Sequence, residues 1–352
     1  MTEPHYQPIA SLAEDIRSRR VSPVEVVDAM LARIERLDGG LNSYITVTAD
    51  LAREQAKTAE AEIAAGRWRG PLHGIPLAVK DLCFTQGVPT TAGMSIHRDF
   101  KPNRDGTAVR RLAAAGSVLL GKLHMTEGAC LEHHPSFPRP NNPWGEEIWT
   151  GVSSSGSGVA VAAGLAHCAI GSDTGGSIRF PSAANGLTGV KPTWGLISRA
   201  GIFDLAETWD HLGPMARSAA DCAAMLGALA GFDPDDPTTL SATPPDYVAA
   251  LGMGVWGARG LRIGFDESFV GAGADPETLG LIKSALGVFD EIGAEVVPCD
   301  FPDPGRLYSI AMEAIMAELA HAHRDTYPAR KDEYGEWTGQ GCEVGLAASP
   351  VT

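Results

Sequence analysis

Apolar positions along the first part of the chain recur at helical spacing. Ser22-Pro23-Val24-Glu25 is a capping box with proline at the first helical position, and apolar residues at 24, 27, 31, 34 and 37 continue along one helix face. Gly39 and Gly40 are expected to end this helix. Similar patterns predict further helices at 49–65, 107–115, 159–165, 218–229, 275–292 and 306–324.

Short continuous apolar runs lie between these helices and predict buried strands. The runs are found at 75–79, 117–120, 166–170, 261–265 and 295–297. Strands that alternate with helices indicate an α/β sandwich. A segment rich in Pro and Asp at 233–246 is predicted to be a surface linker, and no internal repeat divides the chain. We therefore expect a single domain over 1–352.

Composition narrows the functional classes. The 352 residues include 28 basic and 43 acidic side chains, for a net charge of −15, and 44% of residues are hydrophobic. This acidic balance without a basic block argues against binding to nucleic acid or to a membrane surface, since both need positive charge. Six scattered cysteines, no secretory leader pattern and no apolar run of about 18 residues predict a cytoplasmic protein with reduced thiols.

Glycine is the compositional anomaly, with 41 residues in a chain where a share of about 7% is usual. Many lie in two small-residue loops, 151–158 and 171–177. Neither loop fits a phosphate-binding motif. Ser157 stands where a Walker A loop needs lysine, and Val161 stands where a dinucleotide fingerprint needs Gly or Ala. A nucleotide site is not expected.

Several hydrolase and metal motifs are also absent. Ser177 has Gly175 two positions before it but Arg179 two positions after it, so it is not an α/β-hydrolase elbow. Neither the S-x-x-K of β-lactamases nor the H-E-x-x-H of zinc proteases occurs, and we interpret His133 and His134 as loop histidines rather than metal ligands. A Ser-His-Asp triad that uses Asp210 and His211 stays open.

A serine activated by lysine is the remaining chemistry. Lys80 ends an apolar run, where loss of water lowers a lysine pKa and leaves some of it neutral as a base. Ser177 follows Thr174-Gly175-Gly176, and small residues allow backbone N–H groups to converge into an oxyanion hole. The alternative is a buried, ion-paired lysine beside a glycine loop that serves helix packing.

Two long motifs carry a resemblance to a known family. Residues 71–81, PLHGIPLAVKD, resemble the lysine motif of the amidase signature family. The segments 151–158 and 171–181 resemble its Gly/Ser-rich signature, and 189–193 and 210–217 also match its pattern. The resemblance extends over about residues 10–300. It implies a mixed central sheet covered by helices on both faces, in three α/β/α layers.

The resemblance also implies roles for individual residues. Ser177 matches the nucleophile, Lys80 the base, and Ser153 the bridging serine, which in the family follows a cis peptide bond. Backbone N–H groups of Thr174, Gly175, Gly176 and Ser177 would hold the oxyanion. Three further residues are expected to fix the loops: Ser154, Asp173 and Arg179.

For the substrate pocket, the sequence offers weaker candidates. They are Met125, Gly128, His134, Phe137 and Trp194. The expected activity is cleavage of a small-molecule amide through an acyl-enzyme, with aryl amides, esters and carbamates open to the same chemistry. No cofactor and no metal ion are expected. Among oligomers, a homodimer is the expected form.

Two alternative functions accompany this prediction. One is the glutaminase subunit of a tRNA-dependent amidotransferase, and the other is a non-catalytic member that keeps the fold. The presence of all three reactive residues argues against the second. Members of the family are usually longer, so we expect this sequence to lack their C-terminal segment and part of one pocket wall.

Overall fold

A computed structural model of the chain describes residues 4–348, apart from the side chains of 253, 255 and 256. The chain divides into two compact units. The larger is formed by the residues up to 247 together with those from 315 onward, and the smaller by 248–314. No helix within 4–348 is both long enough and apolar enough to span a membrane.

Helices and strands alternate along the described chain. The helices are α1 Ile9–Arg17, α2 Pro23–Leu41, α3 Ala49–Ala64, α4 Thr107–Ala114, α5 Ser155–Ala162, α6 Arg179–Ala184, α7 Ala219–Leu229, α8 Tyr247–Ala250, α9 Glu267–Gly271, α10 Pro276–Glu291, α11 Pro304–Ala322 and α12 Glu336–Ala347. The strands are β1 Tyr44–Val47, β2 Pro76–Lys80, β3 Val118–Leu123, β4 Cys168–Asp173, β5 Thr188–Gly189, β6 His211–Ala216, β7 Arg262–Phe265 and β8 Glu295–Pro298.

The larger unit is built on a mixed six-stranded sheet in the order β1-β3-β2-β4-β6-β5. The three central strands are parallel to one another, while β1, β5 and β6 pair antiparallel with their neighbours. All residues of β2, β3 and β4 are buried, as is typical of strands covered on both faces. Helices α2 and α3 pack on β3, α5 on β4 and β2, and α7 on β6.

The sheet brings two candidate segments to one edge. Strands β2 and β4 are parallel, with Ala78 opposite Ala169 and Val79 opposite Ile170. The carboxyl ends of parallel neighbours lie at the same edge of a sheet, which is where α/β proteins place their sites. Lys80, the last residue of β2, therefore lies beside the end of β4, which continues into the second glycine-rich loop.

Most predicted elements are present, with differences at their ends. Ser22 caps α2 through a complete capping box, but the helix continues through Gly39 and Gly40 to Leu41 and ends at the left-handed Asn42. The first glycine-rich loop is shorter than predicted, because α5 begins at Ser155. Here the close approach of the helix to the neighbouring backbone explains the small residues: a side chain at Gly156 would lie 2.5 Å from the Ser43 carbonyl oxygen.

The segment 233–246 differs from a surface linker in its first half. Asp233 and Asp236 are buried, and their carboxylates accept hydrogen bonds from Ser198 and from the Arg199 backbone. These acidic residues act as turn-forming acceptors rather than as solvated spacers. The smaller unit begins just after this segment and pairs β7 with β8 in parallel. Whether the chain folds as one domain stays a prediction.

Candidate functional site

Lys80 lies in a fully buried position at the end of β2. Its Nζ is 2.6 Å from Ser153 Oγ, 2.9 Å from Ser154 Oγ and 2.8 Å from Ser172 Oγ. Burial lowers the pKa of Lys80 to about 7, although the carboxylates of Asp210 and Asp173 oppose this shift. Near neutral pH this lysine therefore exists in both the ammonium and the amine form.

The three hydroxyl groups around Lys80 differ in what else they bind. Ser154 Oγ donates to the Ser172 carbonyl oxygen at 3.3 Å and accepts from the Ser172 N–H at 3.2 Å. The Ser154 hydroxyl proton is therefore in use, and towards Lys80 this oxygen acts as an acceptor. A neutral amine has two N–H donors and one lone pair. If Ser154 and Ser172 accept the two N–H groups, the lone pair of Lys80 faces Ser153.

Ser153 follows the cis peptide bond between Val152 and Ser153, as the resemblance implies. Its carbonyl oxygen accepts a hydrogen bond from the Thr126 N–H at 3.1 Å, which joins it to the loop after β3. Gly151 has φ +75°, and a side chain there would overlap the backbone of Pro181. The segment that carries Ser153 thus packs directly against the helix that follows Ser177.

Ser177 lies in the second glycine-rich loop and is half-buried. Its hydroxyl makes no hydrogen bond to any residue in the described range 4–348. The structure therefore brings Lys80 and Ser153 together and leaves the Ser177 hydroxyl unbound. Hydrogen bonds of catalytic groups are often formed only when substrate is present.

Asp173 holds the loop around Ser177. Its carboxylate accepts hydrogen bonds from the Gly176 N–H at 2.7 Å and the Ile178 N–H at 3.1 Å, and it forms an ion pair with Arg179 at 2.9 Å. Burial alone would raise the pKa of Asp173, but Arg179 and the two N–H groups keep it below its ordinary value. The predicted role of Asp173 and Arg179 in fixing the loop agrees with these contacts.

One of the four expected oxyanion donors differs from the prediction. The Gly176 N–H donates to Asp173 and is not available to a substrate oxygen. The N–H groups of Thr174, Gly175 and Ser177 make no hydrogen bond with the residues that the structure describes. Three donors therefore remain at this loop.

Asp210 supports the same loop from the neighbouring segment. Its carboxylate accepts hydrogen bonds from the Thr174 hydroxyl and from the N–H groups of Leu205 and Ala206, the last two at 2.8 and 3.1 Å. His211 Nδ1 lies 2.7 Å from the Trp209 carbonyl oxygen, and its Nε2 lies 3.1 Å from Lys191 Nζ. Neither His211 nitrogen contacts a serine, so the contacts do not support the Ser-His-Asp triad left open by the sequence.

The predicted pocket residues have different positions. Gly128 lines a cavity of about 730 Å³ in the larger unit. Met125 and Phe137 are buried, His134 Nδ1 accepts from the backbone of Ser136 in a local turn, and Trp194 stacks on Arg199. These four do not line that cavity, and their place in the substrate pocket stays a prediction.

Sequence reasoning missed two contributors to the site. Ser172 contacts Lys80, and Asp210 holds Thr174. Ser172 was visible only as a loop residue, since its contact depends on the register of β2 against β4. Among the described residues, no group of three or more His, Cys, Asp and Glu side chains is arranged to hold a metal ion.

Comparisons of the sequence identify related proteins. The profile of the Amidase family matches residues 25–343. A Mycobacterium tuberculosis (strain ATCC 25618 / H37Rv) protein named as amidase AmiD is 47% identical over 327 residues, which cover 93% of this chain and 68% of that protein. A glutamyl-tRNA(Gln) amidotransferase subunit from Methylococcus capsulatus is 46% identical over 301 residues, covering 85% of this chain and 61% of that protein.

Solved structures give the same result for the fold. A peptide amidase from Stenotrophomonas maltophilia matches with TM-score 0.84 and 32% identity, over 98% of this chain and 76% of that one. A bacterial aryl acylamidase of the amidase signature family matches with TM-score 0.87 and 28% identity, over 99% of this chain and 74% of that one. These matches confirm the predicted α/β fold with a mixed sheet.

Proposed function

The chain belongs to the Amidase family and is an amidase, and from this premise we propose that Lys80, Ser153 and Ser177 are its catalytic residues. The substrate proposed is a small-molecule amide whose C–N bond is cleaved through an acyl-enzyme on Ser177. Aryl amides, esters and carbamates are open to the same chemistry because each forms a tetrahedral oxyanion. A cytoplasmic location and a homodimer stay predictions.

The contact between Lys80 Nζ and Ser153 Oγ carries this proposal. A lysine that is fully buried, with a pKa of about 7 and a hydroxyl at 2.6 Å, has the properties of a general base. Burial of a structural lysine usually comes with a carboxylate partner. Lys80 has three hydroxyl partners instead, which supports a role in proton transfer.

The proposed relay begins at the neutral Lys80 amine. Lys80 takes the proton of Ser153 while Ser153 takes that of Ser177, and Ser177 Oγ forms a bond to the substrate carbonyl carbon. The C–N bond then breaks, and the proton returns through Ser153 to the leaving amine. Water attacks the acyl-enzyme by the same route, and Ser177 regains its proton as the acid leaves. This relay needs Ser177 to approach Ser153 when substrate binds.

The tetrahedral intermediate needs N–H donors for its oxyanion. We assign this role to the N–H groups of Thr174, Gly175 and Ser177, which have no partner among the described residues. Asp173 holds the Gly176 N–H and so fixes the loop in which the three donors lie. Loss of one such donor typically lowers the rate by about 10²–10³-fold.

A second candidate function is the glutaminase subunit of a tRNA-dependent amidotransferase. The 46% identity to the amidotransferase protein of Methylococcus capsulatus favours it. The same triad would release ammonia from glutamine, so the chemistry of Lys80 does not separate the two functions. Substrate choice does: a glutaminase would use glutamine and leave anilides untouched.

Labelling with a fluorophosphonate tests the proposed nucleophile. We expect wild-type protein to gain one label, and peptide mass spectrometry to find it on Ser177, because the proposed relay through Ser153 and Lys80 activates this hydroxyl. The Ser177→Ala variant should remain unlabelled. A label on another residue, or none, would contradict the proposal. A panel of anilides, aliphatic amides, carbamates and glutamine then separates the amidase from the glutaminase.

The pH dependence of hydrolysis should report Lys80. Only the neutral amine accepts a proton, so activity requires a pH near or above the Lys80 pKa of about 7. We expect kcat/KM to rise about tenfold per pH unit below 7 and to level off above it. A profile that stays flat between pH 5 and 9, measured with an anilide whose own protonation does not change, would contradict a lysine base.

A further inference from the structure

The cavity of about 730 Å³ has an acidic lining. Its carboxylates and its one arginine come from two segments, 202–208 and 317–326. They are Asp204, Glu207, Glu318, Asp325 and Arg324. The imidazoles of His97, His321 and His323 also line it. An excess of carboxylates in a concave surface attracts cations.

Three parts of the cavity lining, at Ala92, Gly128 and Asp204, belong to segments that are hydrogen-bonded to the candidate catalytic segments. The part at Ala92 is joined to Asp81, the neighbour of Lys80, by a hydrogen bond of 3.2 Å. Gly128 donates to the Ala92 carbonyl oxygen and lies two residues after Thr126, which donates to Ser153. The cavity therefore lies beside the site.

The third part of the lining, at Asp204, is connected through Asp210 to the loop that carries Ser177. Asp210 binds the N–H groups of Leu205 and Ala206 with one carboxylate oxygen and the Thr174 hydroxyl with the other. Asp204 directly precedes this anchored pair. The backbone of Asp204 is thus positioned relative to the loop that carries Ser177.

The carboxylates of Asp204, Glu207 and Asp325 form no hydrogen bond and no ion pair with the described residues, and that of Glu318 has only neutral partners. Glu318 accepts hydrogen bonds from the N–H and hydroxyl of Thr208. Asp204 is exposed at the cavity surface. Partial desolvation by neighbouring protein atoms and the nearby Asp210 carboxylate raise the pKa of Asp204 to about 6, while the charge of Arg199 opposes this shift. A bound cation would stabilise its charged form.

His323 adds a buried acceptor to the same cavity. The Thr326 hydroxyl donates its proton to the His323 carbonyl oxygen, so the Thr326 oxygen accepts a hydrogen bond from the Tyr334 hydroxyl. Because the Tyr334 proton is used in this way, His323 Nδ1 donates to the Tyr334 oxygen, at 3.2 Å. Nε2 is left with a lone pair and no partner, although His323 is only 7% exposed. A Cβ at Gly128, also in the lining, would lie 3.4 Å from Nε2. The lone pair thus faces the cavity.

An aromatic surface lies beside these polar groups. Phe203, the neighbour of Asp204, stacks with His97 at 4.5 Å between ring centroids and meets Phe84 edge-on at 5.1 Å. Burial lowers the pKa of His97, so this stack is neutral near pH 7. An aromatic face next to a carboxylate suits an organic cation better than a hydrated metal ion.

We propose that this cavity binds a cationic group of the amide substrate, an ammonium or guanidinium, with Asp204 as its counter-ion and His323 Nε2 as acceptor for its N–H. The statement that this cationic group is part of an amide substrate rests on the proposed function. The statement that the cavity binds a cation is independent of that function. Preference for a cationic over a neutral amide follows from the unpaired carboxylate.

Calorimetric titration with phenethylammonium and its neutral counterpart 2-phenylethanol tests the cation site. We expect wild-type protein to bind the ammonium about 10-fold more tightly, since a hydrogen bond to a charged group is typically this strong. Asp204→Asn should abolish the preference while keeping the side-chain size. Asp50→Asn, an exposed carboxylate in the first turn of α3, is the matched control and should keep it. Equal binding of both probes by wild type, or a preference that survives Asp204→Asn, would overturn the site.

A kinetic pair separates this proposal from the proposed function. The 6-aminohexanoyl and heptanoyl p-nitroanilides differ in charge and little in length. We expect wild type to favour the first in kcat/KM by about 10-fold, Asp204→Asn to lose that preference and Asp50→Asn to keep it. Hydrolysis without preference would overturn the cation site alone. Cation-selective binding in the titration without any hydrolysis would support the site and overturn the proposed catalytic triad.

Discussion

Lys80→Met is expected to lower kcat/KM for an aryl amide by about 10³-fold or more, because it removes the amine that lies 2.6 Å from Ser153 Oγ and takes the Ser153 proton. Methionine has a similar length and no charge, so the buried position at the end of β2 stays filled. The three hydroxyl groups lose their shared partner, and the relay from Ser177 has no acceptor. Hydrolysis of an anilide, followed by release of the aniline, measures the effect.

A matched control separates lost chemistry from lost structure. Lys57→Met makes the same change at an exposed position of α3 and should keep wild-type turnover. Far-UV circular dichroism should be unchanged in both variants. The rate of fluorophosphonate labelling of Ser177 should fall in Lys80→Met and not in Lys57→Met. Turnover by Lys80→Met within a few fold of wild type would remove lysine from the mechanism.

The lysine and the glycine-rich loop of this site were predictable because each is recognisable from its neighbours in the sequence. An apolar run that ends in lysine predicts a desolvated amine, and consecutive small residues after β4 predict a loop of exposed N–H groups. The contacts that bring the lysine and the loop together form between segments that are distant in the sequence. The contact of Ser172 with Lys80 depends on parallel pairing of β2 and β4, which a linear pattern does not specify.

The fold shows the same division between local and long-range information. Capped helices such as α2 and α10 are predictable close to their observed starts, because capping residues act within one turn. Strand β6 was missed because Gly213 and Pro214 lie inside it, and both residues are unfavourable in strands. A side chain at Gly213 would overlap the Val190 carbonyl oxygen, so packing explains the glycine. Such close approaches are visible only in three dimensions.

Asp81→Ala is expected to lower the free energy of unfolding by about 3–5 kcal/mol, since it leaves a buried lysine without its counter-ion. Asp81 and Lys122 are both fully buried, and Lys122 Nζ lies 3.1 Å from Asp81 Oδ1. Thr91 donates its N–H and hydroxyl to the other Asp81 oxygen, at 2.8 and 2.6 Å. Urea unfolding at pH 7, followed by tryptophan fluorescence, measures the change.

The double variant Asp81→Ala/Lys122→Met identifies the cause of this destabilisation. If the cost lies in the uncompensated charge of Lys122, removing that charge as well should recover much of the lost stability, since a buried ion pair offsets its own desolvation only in part. A double variant as unstable as the sum of its single changes would instead indicate independent packing defects. Asp28→Ala removes the acid of an exposed pair with Arg53 and should leave the urea midpoint almost unchanged.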